Sequence, residues 1–253
     1  MKYGICPISI VPLRLEARDQ SEMVSQVLYG EVFKVIEQRK KWSKIRLHND
    51  QYEGWIDNKQ FEEIASESYD SLAENEDIAY AKDPLSIITH QDNTLSTLVM
   101  GSQISSTKVL GDSFNSGAMA MESEQLPKSK LIDHALLLLN APYLWGGRSC
   151  LGIDCSGFTQ LIYRLNGYRL SRDASQQAKH GQVLSFIEES DPGDLAFFDN
   201  AEGAITHVGI IMKDNHIIHA HGKVRIDRID QSGIFNLETA THTHKLRMIK
   251  QIL

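Results

Sequence analysis

The chain has 253 residues, 42% hydrophobic and 23% charged, with a formal net charge of −7 at pH 7. That length suits two or three small domains, and the acidic balance excludes nucleic acid or an anionic membrane gripped by a basic surface. No apolar run reaches the length of a membrane-spanning helix, and three cysteines without zinc-type spacing argue against a disulfide framework. The first residues carry one lysine, Pro7 and Pro12 break the apolar stretch between Ile5 and Leu13, and no small-x-small site follows. No export signal is read there, and the expected location is the cytoplasm.

From Ile8 to Ile64 short apolar runs are separated by turn and charge clusters. Val27-Leu-Tyr-Gly30 precedes Glu31-Val-Phe-Lys-Val-Ile36, followed by Lys41-Trp-Ser-Lys-Ile-Arg-Leu47, a polar loop over 48–51, and Tyr52-Glu-Gly-Trp-Ile56. Strands at this spacing predict a small β-barrel over residues 1–62. The order Gly-Glu, Trp-x-Lys-Ile-Arg-Leu and Gly-Trp-Ile resembles bacterial SH3-like domains. The resemblance implies recognition of peptide or cell-wall material, or support for a neighbouring catalytic domain. Residues 62–77 are acidic with little periodicity and read as a linker, a solvated helix being the alternative. Leu85-Ser-Ile-Ile88, a run over 97–104 and Lys108-Val-Leu-Gly111 then suggest a second, degenerate SH3-like barrel within 63–126.

From Pro127 the pattern turns helical. Leu131, Ile132, Ala135, Leu136 and Leu139 fall on one face of a helix that begins after Ser129 and ends at Asn140-Ala-Pro142. Next, Gly146 and Gly147 permit a sharp turn, and a loop delivers Asp154-Cys-Ser156 to the start of a helix with Phe158, Leu161, Ile162 and Leu165 at helical spacing and Asn166-Gly167 as its stop. Cys155 thus stands at a helix N-terminus, where unpaired N–H groups favour a thiolate. The plainer reading is a small buried hydrophobe. A short helix over 171–177, capped by Ser171 and stopped by Gly181, precedes the turn Asp191-Pro-Gly-Asp194 and the strands 195–198, 206–212 and 216–221. Helices followed by an antiparallel sheet make the domain over 127–253 α+β.

A cysteine nucleophile needs a base and a third group to orient that base. His207 opens one strand and His219 lies on the next. If 213–215 form a three-residue loop, residues 209 and 219 face each other and His207 and His219 become diagonal neighbours on one face, roughly 7–8 Å apart at Cα. His221 shares the parity of His219, so geometry leaves both open. Histidines in a hairpin are also found at surfaces, the expected place of His48, His90, His134 and His180. A metal cluster of His216, His219 and His221 lacks a carboxylate or cysteine at a known spacing, so no metal is expected.

Tyr143-x-Trp-Gly-Gly147, Asp154-Cys-Ser-Gly-Phe158, Arg172-Asp-Ala-Ser-Gln-Gln177, Gly193-Asp-Leu-Ala-Phe-Phe198 and His207-Val-Gly-Ile210 together resemble the NlpC-type cell-wall cysteine peptidases, which have a papain-like fold. The resemblance implies Cys155 as nucleophile, His207 as base and His219, rather than His221, as the orienting third residue. Tyr143 would stand near the nucleophile and the oxyanion. With the leading SH3-like domain, the comparison narrows to γ-D-glutamyl-L-diamino acid peptidases that require a free N-terminal L-alanine. By that likeness Asp154, Ser156 and Tyr52 would hold the alanine amine, with Trp145, Arg172 and Asp173 on the substrate side; Ser171 stands where a proline is usual. The implied partner is a murein peptide, L-Ala-γ-D-Glu-diamino acid, cut by a monomer that needs no cofactor. An amidase, an acyltransferase and a non-catalytic wall-binding protein are the alternatives.

Overall fold

The computed structural model describes residues 1–75, 78–114, 120–121 and 125–253. The chain divides into two compact units, Met1–Glu124 with Trp145–Cys150, and Gln125–Leu144 with Leu151–Leu253.

In the first unit, β1 (Lys2–Ile5), β2 (Ile10–Arg14), β3 (Met23–Leu28), β4 (Val32–Gln38), β5 (Trp42–Leu47), β6 (Glu53–Asp57) and β7 (Glu62–Ile64) form one antiparallel sheet in the order β3-β2-β6-β5-β4-β1-β7. Alternation supplies its core: Val11, Leu13, Val27, Phe33, Ile45 and Ile56 point inward and are buried, which curls the sheet into an SH3-like barrel. The stretch read as a linker is structured over its described part. It adds β7 to the barrel edge and then forms α1 (Ser66–Ala73), whose Tyr69 and Leu72, one turn apart, pack against Ile5 and Val32. Only two apolar residues carry this packing, too few for a visible period. Beyond it, β9 (Leu85–Thr89) pairs with β10 (Leu95–Val99) and β11 (Ser113–Phe114), and β8 (Tyr80–Ala81) pairs with β12 (Ala120–Met121); α2 (Thr107–Leu110) lies between. The second barrel expected within 63–126 falls partly on residues 76–77, 115–119 and 122–124, outside the described residues.

The first unit also includes the segment Trp145–Cys150, which contains the short strand β13 (Arg148–Ser149). Arg148 grips Glu31 through two parallel bonds of 2.9 Å, with both side chains almost wholly buried. Its backbone N–H and guanidinium also donate to Gln26, at 2.8 and 2.6 Å. Gly146, at φ +76°, runs against the Met23 carbonyl, where a Cβ would collide.

The second unit opens with α3 (Lys130–Leu136), shorter than expected. Its buried side is Leu131, His134, Ala135 and Leu138, whereas Leu136 and Leu139 are exposed. His134, expected at the surface, lies within 2.9 Å of Asn166 Nδ2, which satisfies one ring nitrogen inside the core. After β14 (Gly152–Ile153) comes α4 (Cys155–Leu165), every residue of which is buried. The short α5 (Ala174–Gln177) is capped by Asp173, not Ser171, whose hydroxyl meets the His180 ring instead. The strands β15 (Gln182–Leu184), β16 (Leu195–Asp199), β17 (Ile205–Met212), β18 (His216–His221), β19 (Lys223–Asp230), β20 (Gly233–Asn236) and β21 (Thr241–Gln251) form an antiparallel sheet ordered β15-β21-β16-β17-β18-β19-β20. Because β21 pairs with β20 as well as β16, the sheet curls back on itself, and α4 packs on β17 and β18. This is the α+β, papain-like arrangement the sequence led us to expect.

Replacing Glu31 with Ala leaves the Arg148 charge buried without its carboxylate and should lower stability by about 3–5 kcal/mol. Glu53→Ala, which removes the partly exposed pair with Arg46, should change it by less than about 1 kcal/mol. Urea unfolding of the full chain measures both; equal losses would contradict the special place of the buried pair.

Candidate active site

Asp154 ends an extended segment at ψ 176° and caps α4: its Oδ1 accepts the Gly157 N–H at 2.7 Å. Cys155 is therefore the first helical residue, as its sequence context suggested. Arg172, itself buried, donates to both Asp154 oxygens at 3.0 and 2.6 Å and to Ser156 Oγ at 3.0 Å. Gln177 ties the same region down, donating to the Ser156 and Ser171 carbonyls at 2.9 Å and accepting from Thr159 Oγ1 at 2.7 Å. Tyr143 runs beside Ile153, with its N–H on the Gly222 carbonyl at 3.1 Å.

The histidines come from the β17–β18 hairpin. Met212 pairs with His216 across the three-residue loop 213–215, whose Asp214 and Asn215 both have positive φ, and Gly209 stands opposite His219. This is the register the loop length required. His207 Nε2 lies 2.8 Å from His219 Nδ1, and His219 Nε2 lies 3.1 Å from Asp227 Oδ2. Asp227 in turn accepts from Arg225 Nε at 2.7 Å and Nη2 at 3.1 Å. A carboxylate only accepts, so the proton of neutral His219 sits on Nε2. Its Nδ1 then accepts from His207 Nε2–H, and the lone pair of His207 is left on Nδ1. His221 is exposed, with its ring centroid 6.4 Å from that of His207, so the hydrogen bond selects His219.

Burial dominates the electrostatics. It pushes the Cys155 thiol up to about 12, with the Asp154 charge adding to it, and backbone hydrogen bonds from Val208 and Ser156 together with Arg172 pull the other way. Desolvation and a neighbouring anion therefore oppose the thiolate that the helix N-terminus favours. Burial also holds His207 well below its ordinary range, helped by His219, His244 and His221. His219 is lowered by burial against the opposing pull of Asp227. Burial works to raise Asp227, yet the bonds from His219 and Arg225 keep it below the usual carboxylate range. Burial thus works against the charged form of both the thiol and the imidazoles. Tyr143, raised to about 12 by burial and by Cys155 and Asp154, stays a protonated donor.

Asp173 caps α5, its N–H reaching Gln176 Oε1 at 3.4 Å. Tyr52 and Trp145 belong to the first unit. Tyr52 packs against the barrel core, and Trp145 Nε1 donates to Glu22 Oε1 at 2.6 Å. Two residues escaped the sequence reading. His244 of β21 stacks on the His207 ring at 4.2 Å between centroids, a long-range pairing with no local signal. Asp227 was within reach: applying the same parity argument across the Gly222 turn puts it diagonal to His219.

Residues 140–242 match the NlpC/P60 family, and residues 13–61 match the bacterial dipeptidyl-peptidase SH3 domain. The second unit thus carries an NlpC/P60 domain. A γ-D-glutamyl-L-lysine dipeptidyl-peptidase of Bacillus subtilis (strain 168) is 37% identical to this chain over 116 residues, 44% of this chain and 39% of that one. A protein of the same name from Bacillus cereus (strain ATCC 10987 / NRS 248) is 27% identical over 239 residues, 82% of this chain and 70% of that one. The chain thus aligns to well under half the length of the first relative. A crystal structure of an NlpC/P60 family protein from Bacillus cereus ATCC 10987 has the same fold, with a TM-score of 0.80 at 19% identity over 99% of both chains.

Depressed histidines give the NlpC/P60 domain a defined acid response. His207, His219 and His244 (the last held near 4) titrate lower when folded than unfolded. The unfolded chain therefore takes up protons first as pH drops below about 6.5. Stability is complete above that value and is lost toward the folded values, by at most about 1.4 kcal/mol per pH unit for each histidine. Melting temperatures between about pH 7.5 and pH 4.5 should fall less steeply for His244→Phe than for the wild type; parallel curves would contradict this.

Proposed function

We propose that the protein is a cysteine peptidase of peptidoglycan peptides. More specifically, it hydrolyses the γ-D-glutamyl–diamino acid bond of peptides with a free N-terminal L-alanine and releases L-Ala-γ-D-Glu. The observation that carries the catalytic part is the hydrogen-bonded run from His207 through His219 to Asp227 on β17–β19, the two strands of the hairpin being those on which α4, begun by Cys155, packs. The bond specificity draws on the match to a dipeptidyl-peptidase SH3 domain and on the activities named for the two Bacillus relatives.

In this reading the neutral thiol is activated as it reacts. His207 Nδ1 takes the Cys155 proton while sulfur attacks the γ-carbonyl carbon of D-glutamate. Charge developing on the carbonyl oxygen is met by N–H groups at the start of α4 and by the Tyr143 hydroxyl. The His207 imidazolium then protonates the departing amine, the carbon–nitrogen bond breaks and a thioester remains. Water, deprotonated by His207, attacks the thioester, and the thiol regains its proton. Asp154 is the acceptor for the alanine ammonium. Arg172 behind it offsets the cost of burying that carboxylate. A single anion beside the thiol thereby serves recognition, although on its own it opposes thiolate formation.

Mass spectrometry of products from L-Ala-γ-D-Glu-diaminopimelate should show the dipeptide and free diaminopimelate. Cys155→Ala should abolish turnover with the fold intact, while Cys6→Ala, Cys150→Ala and His221→Ala keep most of it. N-acetylation of the substrate should lower kcat/KM on the order of 10²-fold, equal to roughly 3 kcal/mol, through loss of the charged amine. Equal turnover of free and acetylated peptides would return the protein to a general wall hydrolase, and an intact peptide freed from sugar would make it an amidase.

A further inference from the structure

We infer that Asp227, anchored by Arg225, is a positioning residue that decides which ring nitrogen of His207 is free to accept a proton. The inference rests on the reading of Cys155 and His207 as nucleophile and base, and goes beyond it by assigning a role to a carboxylate on a third strand. Asp227 acts through His219, not on a substrate. It is nearly inaccessible to solvent, on β19 opposite Ile217, one diagonal step from His219.

An imidazole has two neutral tautomers of similar energy, and a neutral His–His pair can hydrogen-bond in either direction. With both protons on Nε2, His207 donates to His219 and keeps its Nδ1 lone pair. With both on Nδ1, His219 donates to His207 Nε2, and His207 Nδ1 already carries a proton and cannot accept another. The 2.8 Å contact between the rings is compatible with either direction. Only an acceptor beyond His219 Nε2 distinguishes them, and Asp227 Oδ2 at 3.1 Å is that acceptor. Arg225 makes the choice firm. It binds the carboxylate by two hydrogen bonds, at 2.7 and 3.1 Å, and is itself held by Glu238 at 3.2 Å. Asp227 is thereby fixed in place as an anion that has no proton to donate.

Among the described residues, the hydrogen bond seen at His219 Nε2 is the one to Asp227. The other titratable rings around the pair are His221 and His244, at 6.3 and 5.9 Å from His219 between centroids, and neither has a hydrogen bond to His219 among those of the described residues. The same logic forecasts how substitutions differ. In Asp227→Asn the carbonyl oxygen belongs where His219 Nε2–H and Arg225 Nε–H converge, so the tautomer survives with a weaker, uncharged acceptor. In Asp227→Ala nothing accepts from His219 Nε2, and the unproductive direction becomes accessible.

The test compares wild type, Asp227→Asn and Asp227→Ala by kinetics and by ¹⁵N NMR of the imidazoles without substrate. Asp227→Ala should lower kcat about 10- to 100-fold with KM little changed, and Asp227→Asn should lose clearly less. In both variants the acid limb of kcat/KM should move to lower pH, since the base has lost a nearby anion. The spectra should show protons on Nε2 of both rings in wild type and Asp227→Asn, and a share on Nδ1 in Asp227→Ala. A purely structural role would lower the melting temperature and the active fraction without moving the acid limb or the tautomer. Unchanged tautomers and an unmoved limb in folded variants overturn the proposal. The NMR arm needs no turnover, so a chain inactive on murein peptides would refute the proposed function and still report on Asp227.

Discussion

The site depends on a backbone register: Gly209 on β17 stands opposite His219 on β18. Side chains on a strand alternate faces, so a shift of one residue would send His219 to the far side of the sheet from His207. The register is held at one end by the three-residue loop and at the other by the glycine itself. A Cβ on residue 209 would lie 2.9 Å from the His219 Cβ and 2.8 Å from Ile217 Cδ1, closer than carbon atoms approach without something shifting. The absence of a side chain there gives the His219 ring the room it occupies. Because α4 packs on β17 and β18, the placing of Cys155 is referred to the same two strands.

Burial sets a recurring electrostatic problem that the chain solves in one way. Glu31, Asp154 and Asp227 are each nearly inaccessible, and each is bound by an arginine through two hydrogen bonds: Arg148, Arg172 and Arg225. The planar guanidinium matches the carboxylate fork, so both charges find partners with little loss of freedom. The consequences differ with the neighbours. The Glu31 pair secures a loop, the Asp154 pair orders a helix start, and Asp227 keeps one oxygen for a histidine. Arginine thus fixes the position of its partner, and at Asp227 it also helps keep the carboxyl below its usual range.

Local chemistry made much of this legible. The stop signal at Asn166-Gly167, the Cys155 helix start and the loop-determined pairing of β17 with β18 follow from residues close together in sequence. The first barrel was readable because its strands alternate. What escaped was set at long range or by few residues. Tyr69 and Leu72 are too few to give α1 a period. His134 is buried because Asn166, 32 residues away, offers its side chain. His244 meets His207 only through the curled sheet that joins β21 to both β16 and β20. The opposing pulls on the thiol divide in the same way. Position on a helix is a sequence property, whereas the desolvation that opposes it arises from the whole fold.

The segment Trp145–Cys150 has a consequence for how this protein can be divided. It groups with the first unit, although the residues on either side, Tyr143 and Cys155, belong to the second. The Arg148–Glu31 pair links positions 117 apart in the chain. No single cut between residues therefore separates two self-sufficient modules: a fragment starting near residue 125 would carry Arg148 without its carboxylate, and a fragment ending there would leave Glu31 buried without its guanidinium.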